Sequence, residues 1–289
     1  MPIEAEPVLN VHNALGEGPL WHPGEQALYW VDFEAQSVHR WQPDGGAHEV
    51  FVFTVPVIAL ARRAAGGFLV ATPKSLAFWN PPEASLQQIA VAEPEKEGAR
   101  FNDGAVDPEG RFWIGTMKKG EATSSLYRLD ANRTLDVMAS GLTVSNGIGW
   151  SPDRRTMYLT DSLSQTIFAY DYDPASGSID NRRIFVHTPD EPGVPDGLAV
   201  DSAGFVWSVR CRGWKTVRYD PQGNVAAEIR LPVECPTSCA FGGPDLDQLY
   251  VTSSTALAAR DHRQTQPLAG DLFRIEAGVR GLPEPAYGG

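Results

Sequence analysis

The chain has 289 residues, 42% of them hydrophobic and 21% charged, which is enough apolar material for a large buried core. Its 36 acidic and 24 basic side chains give a net charge of −12, and this charge disfavours nucleic acid as a partner. No apolar leader follows Met1 and no run of about 20 apolar residues occurs, so we predict no membrane insertion and no export, and expect a cytoplasmic protein.

A short strand-like run recurs six times along the chain. The runs are 28–32, 68–72, 112–116, 157–161, 206–210 and 249–253, and their first residues lie 40, 44, 45, 49 and 43 positions apart. A period of about 40–50 residues in strand-rich sequence is typical of a propeller with four-stranded blades. We therefore predict an all-β fold, a single six-bladed β-propeller domain over residues 1–289, with a metal site in its central channel.

Turn residues place the blades in chain order. The predicted blades cover about 17–53, 57–91, 102–138, 146–187, 196–231 and 238–275. Turns such as Pro108-Glu109-Gly110 separate the first and second strands of the blades. The sixth blade lacks an obvious fourth strand, so we expect residues 6–11 to supply it and close the ring.

One position, 10 or 11 residues before each run, recurs in every blade and is expected to face the channel. It is occupied by Glu17, Val57, Asn102, Asn146, Asp196 and Ser238. Glu17, Asn146 or Asp196 alone could be an ordinary turn residue, but independent turns have no reason to share a repeat position. Two carboxylates and two amides at one level of a narrow channel are costly to hold together unless they bind something. Oxygen donors suit a hard divalent cation, so the pattern predicts a metal site.

Other catalytic signatures are missing from the sequence. There is no Gly-x-Ser-x-Gly, no His-Glu-x-x-His and no phosphate-binding glycine loop, and none of the six histidines occupies the ring position. The cysteines Cys211, Cys235 and Cys239 are interpreted as reduced, buried thiols, with metal ligation by Cys235 and Cys239 as the less favoured alternative. The predicted chemistry is therefore that of water activated by a metal, with a carboxylate partner.

The loops between second and third strands should lie beside the metal ring, because neighbouring strands are antiparallel. Two of them are long, at residues 117–124 and 254–270. Several polar or aromatic residues are expected on this face and give it local positive charge: Arg100, Lys118, Lys119, Glu121, Arg210, Arg212 and Trp214.

Motifs spread over almost the whole chain resemble the gluconolactonase family, which includes senescence marker protein 30 (regucalcin) and bacterial sugar lactonases. They include Gly16-Glu17-Gly18-Pro19, Arg100-Phe101-Asn102-Asp103-Gly104, Ser145-Asn146-Gly147 and Pro195-Asp196-Gly197. The resemblance implies a six-bladed propeller with Glu17, Asn146 and Asp196 as metal ligands and Asp196 as general base. It also implies that Arg100 and Asn102 hold substrate hydroxyls. The family's substrate-facing glutamate falls near Gly120, which makes Glu121, one position away, a candidate for substrate binding.

We expect an enzyme that opens a small-molecule sugar lactone to the sugar acid with one divalent ion. That ion polarises the lactone carbonyl and acidifies a water molecule, whose proton Asp196 accepts. Two alternatives stay open: a phosphotriesterase or other esterase on the same site, and a non-enzymatic calcium-binding or scaffold propeller. The sequence leaves open the sugar, the oligomeric state and the choice among Ca, Zn, Mn, Mg and Fe(II).

Overall fold

The computed structural model describes residues 4–91, 98–118, 122–259, 262 and 265–289. These residues form six four-stranded antiparallel sheets arranged as the blades of a propeller. A short 3-10 turn at Ser162–Ser164 follows the second strand of blade four. The prediction of an all-β, six-bladed propeller is confirmed.

The strands follow one another from the channel outward in blades one to five. Blade one contains β2 (Gly16–His22), β3 (Ala27–Asp32), β4 (Ser37–Trp41) and β5 (His48–Val52), and blade two β6 (Ala59–Arg62), β7 (Phe68–Ala71), β8 (Ser75–Trp79) and β9 (Leu86–Val91). Blade three contains β10 (Arg100–Val106), β11 (Phe112–Met117), β12 (Ser124–Leu129) and β13 (Leu135–Leu142). Blade four contains β14 (Ser145–Trp150), β15 (Thr156–Asp161), β16 (Thr166–Asp173) and β17 (Ser178–His187), and blade five β18 (Val194–Val200), β19 (Val206–Cys211), β20 (Lys215–Tyr219) and β21 (Val225–Arg230).

Blade six joins the two ends of the described chain. It contains β22 (Pro236–Gly242), β23 (Gln248–Ser253) and β24 (Leu272–Glu276), and β1 (Ala5–Leu9) is its outermost strand. The β1–β24 pairing places Ala5 opposite Ile275 and Pro7 opposite Phe273. The prediction that residues near 6–11 close the ring is therefore confirmed.

The core lies between neighbouring blades. Second strands such as β3 and β19 are buried at every residue, whereas the outermost β5 is almost wholly exposed. Blade three shows how a turn is fixed to this core: the Trp113 indole N–H donates to Asp107 Oδ2 at 3.0 Å, and Asp107 Oδ1 accepts the Glu109 and Arg111 amides. Burial on both faces explains why the second strands read as continuous apolar runs.

After β24 the chain crosses the end of the channel formed by the turns between first and second strands. Gly281 bridges to Asp201 of blade five, and Tyr287 bridges to Arg63 of blade two. The Tyr287 ring is fully buried and its hydroxyl donates to the Asp130 carbonyl of blade three at 2.8 Å. Among the described residues, no helix is long and apolar enough to span a bilayer.

Candidate metal and substrate site

β-bulges mark the ring position in five of the six innermost strands. The ladder between first and second strands is interrupted between Glu17 and Leu20, Phe101 and Gly104, Ser145 and Ile148, Pro195 and Leu198, and Pro236 and Cys239. A bulge releases one or two residues from the ladder and re-aims their side chains. The predicted ring residues of blades one, three, four, five and six all lie at or within these bulges. The exception is Val57, which is buried two residues before β6 begins.

Asn146 and Asp196 meet although they come from different blades. The Asn146 Nδ2 group donates to Asp196 Oδ1 and also to the Ser162 hydroxyl at 3.2 Å. Asn146 is 7% exposed and Asp196 5% exposed, so both side chains are largely withdrawn from water. Ser162, which the sequence analysis missed, orients the Asn146 amide, and the only signal for it is its place directly after the run 157–161.

Glu17 lies near the carboxyls of Asp196 and Asp103, and their negative charges disfavour its ionised form. Burial raises the pKa of Glu17 well above its usual range, and the charges of Asp196 and Asp103 raise it further. The pKa of Asp196 is also raised well above its usual range, first by burial and then by Asp103, while the Asn146 hydrogen bond opposes the shift. Two carboxyls under this strain would regain their charged forms if a cation lay between them.

These residues fit a divalent cation by their chemistry. Glu17, Asn146 and Asp196 offer carboxylate and amide oxygens, the ligands of hard ions, and three protein ligands leave coordination positions for water or substrate. No cluster of three or more His, Cys, Asp and Glu side chains in the described ranges forms a metal-binding group. The residues that would hold the ion are therefore two carboxyls and one amide.

Arg100 and Asn102 lie beside this group and hold each other. Arg100 Nη1 donates to Asn102 Oδ1 at 2.9 Å, and Asn102 Nδ2 donates to the Ser145 carbonyl at 3.0 Å. The Arg100 guanidinium also lies over the Phe33 ring, 4.8 Å from its centroid. Burial lowers the pKa of Arg100, and the negative charges of Glu17 and Glu34 partly offset that effect. The Arg100 guanidinium is therefore a largely buried cation beside the carboxyls.

Several predicted residues have other positions or lie outside the described residues. Glu121 and Lys119 belong to the latter group, so substrate binding by Glu121 stays a prediction. The expectation that Arg210 adds surface charge is wrong: it is 1% exposed, and its guanidinium donates to the carbonyls of Pro192 and Gly193. Ser238 is 5% exposed beside the channel. The three cysteines are buried and unpaired by disulfides, as predicted.

A cavity of about 430 Å³ fills the channel on the other side of the ring. Asp103 and Ser238 line it near the ring, and Pro152 and Glu284 line it near the end that the C-terminal segment crosses. Burial raises the pKa of Asp103 to about 6 and that of Glu284 to about 7. Glu17, Asn146 and Asp196 do not line this cavity, so it is separate from the candidate metal ligands.

Comparison with known proteins places the chain in a family. The model of the SMP-30/gluconolactonase/LRE-like region matches residues 15–255. The chain is 37% identical to a pentonolactonase of Haloferax volcanii over 96% of both chains, and 36% identical to a 6-deoxy-6-sulfogluconolactonase of Pseudomonas putida over 98% of both. It superposes with a TM-score of 0.94 on the structure of regucalcin from Agrobacterium tumefaciens, described as a calcium-binding protein, at 27% identity over 99% of this chain and 98% of that one. The chain belongs to the SMP-30/gluconolactonase/LRE-like family.

Proposed function

We propose that this family member hydrolyses a sugar lactone to the sugar acid, with a divalent cation held by Glu17, Asn146 and Asp196. The observation that carries the proposal is that three blades bring two carboxyls and one amide together at one mouth of the channel. The pKa values of both carboxyls are raised by burial and by neighbouring negative charge. The activities in the names of the two lactonase relatives favour a lactone over other esters.

The bound cation would supply Lewis-acid polarisation of the lactone carbonyl and lower the pKa of water at the site. Asp196 would accept the proton of the attacking water as the new carbon–oxygen bond forms. It would then return that proton to the ring oxygen as the ring carbon–oxygen bond breaks. The net reaction adds one water molecule to the lactone and leaves the Asp196 carboxylate as it began.

Arg100 and Asn102 would fix the lactone in the orientation this transfer requires. Their mutual hydrogen bond holds both groups before substrate arrives, so less conformational freedom is lost on binding. A neutral lactone is compatible with a protein of net charge −12, and the same field favours departure of the anionic product.

A panel assay tests this proposal. Chelator-treated protein, alone and reconstituted with Ca²⁺, Mn²⁺, Zn²⁺, Mg²⁺ or Fe²⁺, is offered aldonolactones, aryl esters and a phosphotriester in a pH-stat. We expect lactone hydrolysis that disappears on chelation and returns with at least one ion, while circular dichroism shows the propeller still folded. Full activity after chelation would refute the metal-dependent mechanism. Turnover of esters or phosphotriesters alone would favour the esterase alternative, and ion binding without any turnover would favour a calcium-binding protein.

A further inference from the structure

The three blades that supply the candidate metal ligands share a buried charged residue at the end of the second strand. These residues are Asp32, Asp161 and Arg210, which are 4%, 2% and 1% exposed. Each follows the ring residue of its own blade by 14 or 15 positions. At the same position, blades two, three and six carry Thr72, Thr116 and Ser253. The blades with a charged residue at this position are therefore the same blades that provide a candidate metal ligand.

Asp161 fixes the connection that leads into the strand of Asn146. Its Oδ1 atom accepts the backbone N–H of Thr143 at 3.0 Å, that of Val144 at 2.9 Å, and the Thr143 hydroxyl. Val144 lies two residues before Asn146, and Asp161 is paired with the intervening Ser145 in the β14–β15 ladder. One carboxyl thus fixes the backbone on the near side of the bulge that aims Asn146.

Asp32 makes the same arrangement ahead of Glu17. Its Oδ1 accepts the Leu15 N–H at 3.0 Å, and its Oδ2 accepts the Ala14 N–H at 2.9 Å. Leu15 lies two residues before Glu17, the same offset as between Val144 and Asn146. The side chain of Asn13 adds a donor to Asp32 Oδ2 at 3.2 Å, so the connection is bound at three consecutive residues.

In blade five, the positively charged Arg210 binds the backbone ahead of Asp196. Its Nε donates to the Pro192 carbonyl at 3.2 Å and its Nη2 to the Gly193 carbonyl at 3.1 Å. Gly193 lies three residues before Asp196. Arg210 Nη1 also donates to the Thr188 hydroxyl at 2.7 Å, and Nη2 to Gln165 Oε1 of blade four at 3.1 Å. Here the backbone presents carbonyls, and a guanidinium has the several donors needed to bind them.

The hydroxyl residues of the other blades bond within their own blade. Thr72 contacts Ser75, Thr116 donates to the Ser125 carbonyl at 3.1 Å, and Ser253 donates to the Asp271 carbonyl at 2.7 Å. These bonds join each second strand to the third strand of its blade or to the residue just before that strand. They therefore stabilise a blade without fixing the backbone that enters the ring.

We propose that Asp32, Asp161 and Arg210 are positioning residues of the candidate metal centre. Hydrogen bonds to a buried charge are strong, and each residue applies them two or three positions before a ligand. This fixes Glu17, Asn146 and Asp196 at one point before an ion arrives, although Glu17 and Asp196 repel each other as anions. The inference rests on the proposed function of that site, because a positioning role requires that the three residues bind a cation.

Metal affinity, measured by calorimetry with Ca²⁺ or Mn²⁺ on chelator-treated protein, tests the proposal without relying on turnover. Asp161→Ala should weaken binding by about 10–100-fold, the usual loss when a group that orients a ligand is removed. Thr72→Val alters the same repeat position in a blade with an apolar ring residue and should leave affinity unchanged. If Asp161→Ala does not fold, Asp161→Asn serves instead: it keeps the shape and an oxygen acceptor but lacks the charge, and should give a smaller loss.

A double-mutant cycle separates positioning from general destabilisation. If Asp161 acts through Asn146, adding Asp161→Ala to Asn146→Ala should cause little further loss of affinity. Additive losses, or unchanged affinity in both Asp161→Ala and Asp32→Ala, would overturn the positioning role while leaving the metal site intact. Wild-type protein that binds no divalent ion would instead overturn the proposed function, and this inference with it.

Discussion

The two ends of the central channel are built from different parts of the chain. At one end, residues from separate blades converge through bulges, and buried carboxyls raise one another's pKa. At the other end, the C-terminal segment crosses the channel, and Leu282, Pro283 and Pro285 line the cavity together with the prolines of the strand turns. The first end concentrates unfavourable charge, whereas the second buries apolar surface and backbone hydrogen bonds. With the proposed reaction at the first end, mutations there should alter turnover, and mutations at the second end should alter stability.

The largest effect is expected at the charged end, from Asp196→Asn. This change keeps an oxygen of similar size but removes the proton acceptor, so turnover should fall by about 10²–10⁴ while the ion still binds measurably. Asn146→Ala is the matched variant, because it deletes a neutral ligand and should be largely rescued by excess metal. Turnover is measured at increasing ion concentration. Saturating metal that restores Asp196→Asn to near wild-type turnover would make Asp196 a ligand only.

Arg100→Ala should produce the next largest effect at the same end. Loss of a charge-assisted hydrogen bond to substrate should cost about 1–3 kcal/mol in kcat/KM, without loss of the ion. Arg154 is the control at the opposite end, where its side chain is 58% exposed and pairs with Glu109 at 3.3 Å. Arg154→Ala should leave kinetics unchanged. Equal kinetics for Arg100→Ala and wild type on every lactone turned over would exclude Arg100 from substrate binding.

The fold was largely predictable from the sequence, because each blade has the same strand pairing and a similar pattern of apolar residues. The spacing of the runs predicted six blades, and the missing fourth strand of blade six predicted the pairing of β1 with β24. The ring positions could be aligned since the bulges recur at one place in the repeat. The hydrogen-bond partners of individual side chains could not be predicted. In the sequence, Arg210 cannot be distinguished from a surface cation, because the carbonyls that it binds belong to a connection between blades. Tyr287 contacts residues of blades two and three that lie 157 or more positions away in the sequence.

At the end of the channel that the C-terminal segment crosses, Glu284→Gln should alter stability more than activity. Burial raises the pKa of Glu284 to about 7 in the folded protein, above the usual value of 4.5. The folded state therefore binds more protons than the unfolded chain between these values, and wild-type stability should fall as pH rises through this window. Glu284→Gln removes the titration and should be more stable than wild type at pH 8, by about 1–2 kcal/mol for a side chain that keeps some contact with water.

Thermal midpoints at pH 5 and pH 8 measure this difference, with Glu276→Gln as the control. Glu276 lies on β24 with a side chain 66% exposed, so its replacement should shift neither midpoint. Lactone hydrolysis at saturating metal should be the same in all three proteins. If Glu284→Gln and wild type have equal thermal midpoints at both pH values, the pKa of Glu284 is not raised by burial. A loss of turnover would show that the two ends of the channel are coupled.

The smallest effect is expected from Tyr287→Phe, which tests how the C-terminal segment is attached. The change keeps the buried ring and removes only the hydroxyl that donates to the Asp130 carbonyl at 2.8 Å. Loss of one buried hydrogen bond should lower the free energy of unfolding by about 0.5–1.5 kcal/mol. Metal affinity and kcat/KM should stay at wild-type values, because the charged end depends on connections between blades and not on this segment. Denaturant unfolding and calorimetry measure the two quantities, and weakened metal binding in Tyr287→Phe would contradict the separation of closure from chemistry.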